Sequence, residues 1–236
     1  MQTFSVKLID RIKRTASIES FRFQAKERIH FLAGQFLQVI FDPKNLENKE
    51  LNKYLSFSSS PAREYIEVTK RLSESSFSQY LRNLKKGNEV MIKAPFGNCA
   101  LKENYDKIAF LIGGIGITPV ISILEDIQDK RLKTDVALFY SNRNEEEIAF
   151  KDEIFALQLK NHNLKIFNTV TDCQPQDIRC IFGRIDKNML SQRLPDYQER
   201  LFFIFGPPKM VEAMNNMCLE MGISPEDIKT ESFIGY

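Results

Sequence analysis

The feature that most constrains this chain is a continuous apolar run, Ile108-Ala109-Phe110-Leu111-Ile112, which ends in Gly113-Gly114-Ile115-Gly116-Ile117-Thr118-Pro119. A strand that is apolar at every position must be covered on both faces, as in parallel sheets flanked by helices. Glycines at a strand-to-helix turn let a ligand approach the backbone, and the helix N-terminus beyond offers N–H groups and partial positive charge. A phosphate or pyrophosphate fits such a turn. The spacing is not the G-x-G-x-x-G dinucleotide fingerprint, so a plain glycine-rich turn remains the alternative.

The rest of the second half keeps the same rhythm. Val120, Ile123, Leu124 and Ile127 stand at helical spacing. Strands are predicted at 136–140, 164–170 and 201–205, with a helix over 145–159. A second glycine-bearing turn, Phe205-Gly206-Pro207-Pro208-Lys209-Met210, precedes a helix carrying Met210, Met214, Met217 and Met221. Proline suits the first helical turn, and Gly222 is placed to end the helix in a left-handed residue. Alternating strands and helices predict a parallel doubly wound sheet, whose ligands bind at the carboxyl ends of the strands.

The first hundred or so residues read differently. Phe4, Val6 and Leu8 alternate with polar residues, as do Phe21 and Phe23. This period of two predicts half-buried strands. Further strand-like runs lie at 36–41, 65–70 and 89–93, with a helix over 76–84 whose Phe77, Leu81 and Leu84 share a face. Short antiparallel strands with few helices predict a small barrel. The fold class is therefore β + α/β, an antiparallel barrel over 1–102 and a parallel doubly wound sheet over 103–236, with the boundary in the charged stretch 101–106.

Within the barrel half, Lys53-Tyr54-Leu55-Ser56-Phe57-Ser58-Ser59-Ser60-Pro61 is rich in hydroxyls. It reads either as donors for a polar ligand edge beside a lysine, or as a solvated edge strand. Ser75-Ser76-Phe77-Ser78 stands where a helix begins, so its serines serve as caps, as a pyrophosphate site, or as both.

Composition excludes other classes. The net charge of +2 is too small to suggest a nucleic-acid partner, and no apolar run approaches the roughly 20 residues of a membrane span. The N-terminus shows no signal-peptide pattern, so the expected location is cytoplasmic. Cys99, Cys173, Cys180 and Cys218 are dispersed, and the chain has 2 histidines, His30 and His162. Neither a zinc site nor an iron–sulfur cluster is expected.

Order and spacing together resemble the ferredoxin–NADP(+) reductase superfamily over nearly the whole chain. Lys53-Tyr54-Leu55-Ser56 stands at its R-x-Y-S flavin motif, and Ser75-Ser76-Phe77-Ser78 with Leu81 at its G-x-x-S-x-x-L pyrophosphate turn. Ala33-Gly34-Gln35-Phe36 and Pro95-Phe96-Gly97 resemble its P-G-Q-F and P-x-G segments. Gly113 through Pro119 is similar to its G-G-x-G-x-T-P, and Phe205-Gly206-Pro207 to its C-G-P. The resemblance implies FAD, in preference to FMN, with NADPH or NADH as co-substrate. It implies hydride transfer to the flavin and onward transfer to ferredoxin, flavodoxin or a small oxidant. Lys53, Tyr54, Leu55, Ser56, Val68, Lys70, Ser75, Ser76, Phe77 and Ser78 would bind the flavin, and Gly113, Gly114, Gly116, Thr118, Arg143, Gly206, Pro207, Met210 and Tyr236 would complete the cofactor set. Ser56, Thr118 and Phe233 would stand at the reacting rings. Two rivals are an electron-transfer subunit of a larger complex and a non-catalytic nucleotide-sensing module.

The chain departs from the family pattern at several positions. Lys53 replaces an arginine and turns a bidentate phosphate contact into a point charge. Leu55 replaces the aromatic that stacks on the flavin, and alternation directs Tyr54 to the opposite face, so aliphatic packing is expected. Ser75 replaces a glycine. Phe205 replaces a cysteine and would either hinder nicotinamide entry or pack in the sheet. Arg143 would pair with a 2′-phosphate or with Glu145 to Glu147. In Glu231-Ser232-Phe233-Ile234-Gly235-Tyr236, Phe233 or Tyr236 would cover the ring or merely pack.

Overall fold

The computed structural model describes residues 1–233, so Tyr236 lies outside the described residues. Two compact units are present, one of residues 1–101 with 118–129, the other of 102–117 with 130–233.

The first unit holds an antiparallel six-stranded sheet. Its strands are β1 (Gln2–Lys13), β2 (Ile18–Ala25), β3 (Phe36–Ile40), β4 (Asn52–Ser56), β5 (Ile66–Arg71) and β6 (Glu89–Phe96). They lie in the order β4-β3-β6-β1-β2-β5. An antiparallel bridge between Phe57 and Val68 joins the two outermost strands and closes the barrel. Alternation sends Val6, Leu8, Phe21, Phe23, Leu37, Val39 and Ile92 inward, where all are buried. Helix α1 (Ser76–Asn83) caps this core with Phe77 and Leu81, four residues apart on one face and both fully buried.

Closure decides the hydroxyl-rich segment against the solvated-edge expectation. Ser56, Phe57, Ser58, Ser59 and Ser60 are all buried, because the chain leaving β4 is drawn under β5 by the Phe57–Val68 bridge. Buried hydroxyls need partners. Ser58 Oγ lies 2.7 Å from Thr69 Oγ1, and Ser59 Oγ accepts the N–H of Glu67 at 3.0 Å.

The other unit contains a parallel six-stranded sheet in the order β10-β9-β8-β7-β11-β12. Its strands are β7 (Lys107–Gly113), β8 (Asp135–Asn142), β9 (Leu164–Val170), β10 (Cys180–Phe182), β11 (Leu201–Gly206) and β12 (Ile228–Ser232). Ala109, Leu111, Ala137, Phe139, Phe202 and Ile204 share one face of the sheet with Leu190 of α4 (Lys187–Arg193) and Val211 and Met217 of α5 (Pro208–Glu220). Gly222 ends α5 at φ +81, as expected.

One helix differs from the sequence reading. Residues 145–147 form a 3-10 turn, Phe150 takes φ +60, and α3 runs only over Lys151–Lys160. Ile148, Ala149 and Phe150 are buried in succession, which a helix with a single apolar face cannot achieve. Asn144 caps the short turn by accepting the Glu147 N–H at 3.1 Å. The sequence reading also omitted β10 and α4, although Asp186 caps α4 by accepting the N–H of Met189 at 2.7 Å.

Candidate functional site

On the barrel, β4 separates its motif residues by pleat. Lys53 pairs with Val39 and Leu55 with Leu37, so both share the side of two fully buried core residues. Leu55 packs against the barrel core. Tyr54 takes the opposite face, is 56% exposed, and meets Phe36 and Phe96 edge-on at 5.6 and 5.3 Å. Tyr54 is thus not brought together with Lys53 and Leu55.

Lys70, on β5, lies within electrostatic reach of Lys53. Burial first, and then the charge of Lys53, hold the Lys70 ammonium below the ordinary lysine range. Neither lysine has an ion-pair partner among the described residues. Two cations within electrostatic reach of each other, neither ion-paired among the described residues, suit an anion carrying more than one charge. Val68, beside them on β5, is fully buried.

At the start of α1 the serines bond mainly to one another. Ser75 caps the helix by accepting the Ser78 N–H at 3.3 Å, and Ser78 Oγ accepts the Ser73 N–H at 3.1 Å. The Ser76 hydroxyl donates to the carboxylate of Glu50, a neighbour the sequence reading missed. Phe77 belongs to the core. Ser56 behaves differently from the serines after it. It is 4% exposed, and its hydroxyl has no protein partner among the described residues.

At the carboxyl end of β7, Gly113 opens a 3-10 turn over Gly114–Gly116, and α2 (Ile117–Asp129) follows. Gly114 has φ +51, and a Cβ there would meet no atom within 4 Å, so the turn presents open backbone. At Gly116 a Cβ would stand 2.4 Å from the carbonyl oxygen of Phe205, so close approach of β11 requires glycine. Thr118 is buried in the first turn of α2.

On β11 and beyond, Gly206 leads to Pro207, the N-cap of α5, and the sulfur of Met210 lies over Gly113. Phe205 is fully buried, with its ring 5.8 Å from that of Phe203 in an edge contact. Of the two readings for Phe205, packing in the sheet is the one observed. Phe233 follows β12 and donates its N–H to the Gly206 carbonyl at 2.9 Å. Glu231 pairs with Phe205 across β11 and β12, and burial pushes its carboxyl up to about 7.

Arg143 is exposed just past β8 and makes no ion pair among the described residues. Glu145 is engaged elsewhere: its carboxylate accepts the Asp177 N–H at 3.2 Å and lies 3.8 Å from Lys151 Nζ. In the Ser141-Asn142-Arg143 stretch, where the sequence reading assigned a role to Arg143 alone, Asn142 ends β8. It is 6% exposed, yet neither its amide oxygen nor its amide nitrogen has a partner. Asn168 Oδ1 and Thr169 Oγ1 on β9 are likewise buried and unpaired. Such orphaned groups at the carboxyl ends of parallel strands suit a polar ligand. An amide closing an otherwise apolar strand was the available signal.

Glu145, Asp177 and Cys180 also bring ligand-type atoms within 4.8 Å of one another. Lys151 at 2.9 Å and Arg179 at 2.7 Å neutralise Asp177, so this group is an ion-pair cluster.

Comparison with known proteins bears on both halves. Residues 5–101 match the oxidoreductase FAD-binding domain family, and residues 110–216 match the oxidoreductase NAD-binding domain family. The chain belongs to the two-domain oxidoreductases that join an FAD-binding domain to an NAD-binding domain, and it is ferredoxin–NADP(+) reductase-like. A component of the Na(+)-translocating NADH-quinone reductase of Pseudoalteromonas atlantica is 32% identical over 164 residues, which are 67% of this chain and 40% of that protein. The chain thus spans about two-fifths of the length of such relatives. A ferredoxin NADP+ reductase from Neisseria gonorrhoeae with bound FAD and NADP has the same fold, with TM-score 0.83, 20% identity, and coverage of 98% of this chain and 99% of that one. The flavohem-like FAD/NAD-binding domain of nitric oxide dioxygenase from Vibrio cholerae also shares it, with TM-score 0.83, 19% identity and 98% of each chain covered. Among the described residues, no helix is long and apolar enough to cross a membrane.

Proposed function

We propose that this chain takes hydride from NADH or NADPH onto bound FAD and passes electrons to a separate acceptor such as ferredoxin, flavodoxin or a small oxidant. On this reading residues 1–102 serve the flavin and 103–236 the nicotinamide. The observation that carries it is Ser56: a buried residue whose hydroxyl has no protein partner among the described residues, on the strand that also supplies Lys53.

Bound flavin would supply the two-electron and one-electron exchange that side chains cannot perform. Lys53 and Lys70 neutralise its diphosphate, helped by the N–H groups that open α1, and there the Glu50 carboxylate is the group a phosphate displaces. Ser56 bonds the polar edge of the ring, and Leu55 offers aliphatic packing. The open backbone at Gly114, with Thr118 and the Gly206-Pro207 turn, receives the nicotinamide dinucleotide, and Asn142 and Arg143 meet its adenosine end. Phe233 covers the reacting ring. The protein contributes proximity and orientation, with little acid–base chemistry of its own.

A second reading, an electron-transfer subunit of a larger assembly, is favoured by the match to part of a quinone-reductase component. Anaerobic turnover with ferricyanide, flavodoxin and ferredoxin separates the two. A free-standing reductase reduces one of the protein acceptors at a rate comparable with ferricyanide. Turnover with ferricyanide alone supports the larger-assembly reading.

A further inference from the structure

The serines that follow β4 are held from the far side by α2. Ser122, fully buried on that helix, donates its hydroxyl to the carbonyl of Ser59 at 2.7 Å. One turn on, the carboxylate of Glu125 accepts the backbone N–H of Ser60 at 2.8 Å. Arg63 approaches the same Glu125 oxygen at 3.4 Å. Val120, Ile121, Ile123, Leu124 and Ile127 bury most of the helix surface around Ser122, so its hydroxyl is a polar exception in an apolar contact. Residues 118–129 pack into the same compact unit as the barrel.

The near side of this segment is fixed as firmly. Glu67 receives Arg14 at 3.0 Å and Arg22 at 2.8 Å, and its oxygen lies 3.3 Å from the Ser58 hydroxyl. The Ser58 N–H donates to the Glu67 carbonyl at 2.8 Å. The chain from Ser58 to Ser60 is therefore held by β5 on one side and α2 on the other, and Ser56 at its head keeps a hydroxyl free for a ligand.

We propose that Ser122 and Glu125 are positioning residues for the flavin: by fixing the Ser59 carbonyl and the Ser60 N–H they hold Ser56 and Leu55 ready to receive it. This rests on the flavin reading of Ser56. Preorganisation of this kind adds to affinity because less of the segment must be ordered on binding. Glu125→Ala leaves a buried N–H without its acceptor, whereas Glu125→Gln retains an acceptor oxygen.

The test is FAD titration of the full-length apoprotein by flavin fluorescence quenching, with amide exchange at Ser60 and apoprotein Tm measured alongside. Ser122→Ala and Glu125→Ala should each weaken FAD binding by about tenfold or more. Glu125→Ala should also lose Ser60 amide protection, while Glu125→Gln should keep that protection and bind within about threefold of the parent. Unchanged FAD affinity in both alanine variants overturns the proposal, even if Tm falls, since that pattern describes a purely structural contact. Equal losses in Glu125→Gln and Glu125→Ala also overturn it, because the charge would then matter and the acceptor would not. A parent protein that fails to bind FAD overturns the flavin reading itself, which distinguishes the two failures.

Discussion

Lys70 on β5 lies within electrostatic reach of Lys53 on β4, and its pKa is lowered first by burial and then by that neighbouring charge. An anion seated between them would relieve the repulsion. Lys53→Met and Lys70→Met should each weaken FAD binding by about 10–100-fold, the scale of one charge-assisted hydrogen bond. Removing either charge should also raise the Tm of the apoprotein, because the like-charge cost disappears. Fluorescence titration and thermal melts check both effects. Unaltered FAD affinity contradicts a phosphate role for the pair.

Glu231 gives the apoprotein a pH signature. Its folded pKa of about 7 stands above the ordinary 4.5, so the folded chain holds this proton more tightly than the unfolded chain does. Its destabilising effect is absent below the unfolded value, grows as pH rises through the window between the two, and is complete above the folded value. At about 1.4 kcal/mol per pH unit, the full effect is roughly 3 kcal/mol. Glu231→Gln should remove this slope from denaturant melts taken across the window, and a variant with the parental slope assigns the titration to another group.

The glycine turn separates a packing requirement from a ligand requirement. Gly116→Ala drives a Cβ into the Phe205 carbonyl and should cost about 1–3 kcal/mol. Gly114→Asn keeps a residue type that tolerates positive φ, and the space beside it is open. That variant should melt within a few degrees of the parent yet raise nicotinamide KM by about tenfold, a loss of roughly 1.4 kcal/mol. An unchanged KM means the open backbone at Gly114 is not where the dinucleotide binds.

Phe205 should behave as a core residue. Phe205→Ala removes a fully buried ring that contacts Phe203 and should cost about 3–5 kcal/mol of stability. Urea unfolding measures this directly, and a loss below about 1 kcal/mol contradicts tight packing in the sheet.

Both sheets were legible because periodicity records burial. The alternation of Phe4, Val6 and Leu8 and the unbroken run before Gly113 mark a surface covered on one face and a surface covered on two. The glycine turn was equally plain, since its spacing reflects a backbone contact between Gly116 and Phe205. The serine segment stayed ambiguous in the sequence because barrel closure, a long-range event between Phe57 and Val68, buries residues that look solvent-facing locally. The break before α3 was hidden for a related reason: Ile148 to Phe150 fit a helical pattern until their joint burial is seen. Asn142 had no role of its own in the sequence because an orphaned hydrogen-bonding group is a property of its surroundings. The Lys53–Lys70 pairing likewise depends on strands that meet only in the folded barrel.

The central claim is tested most directly by the visible absorption spectrum of the purified protein, recorded anaerobically before and after adding NADH or NADPH. The account predicts a yellow protein, or one that turns yellow with FAD, whose flavin bands bleach on addition of one or both nucleotides. A protein that takes up neither FAD nor FMN, or whose bound flavin stays oxidised under both nucleotides and bleaches only with dithionite, would contradict it.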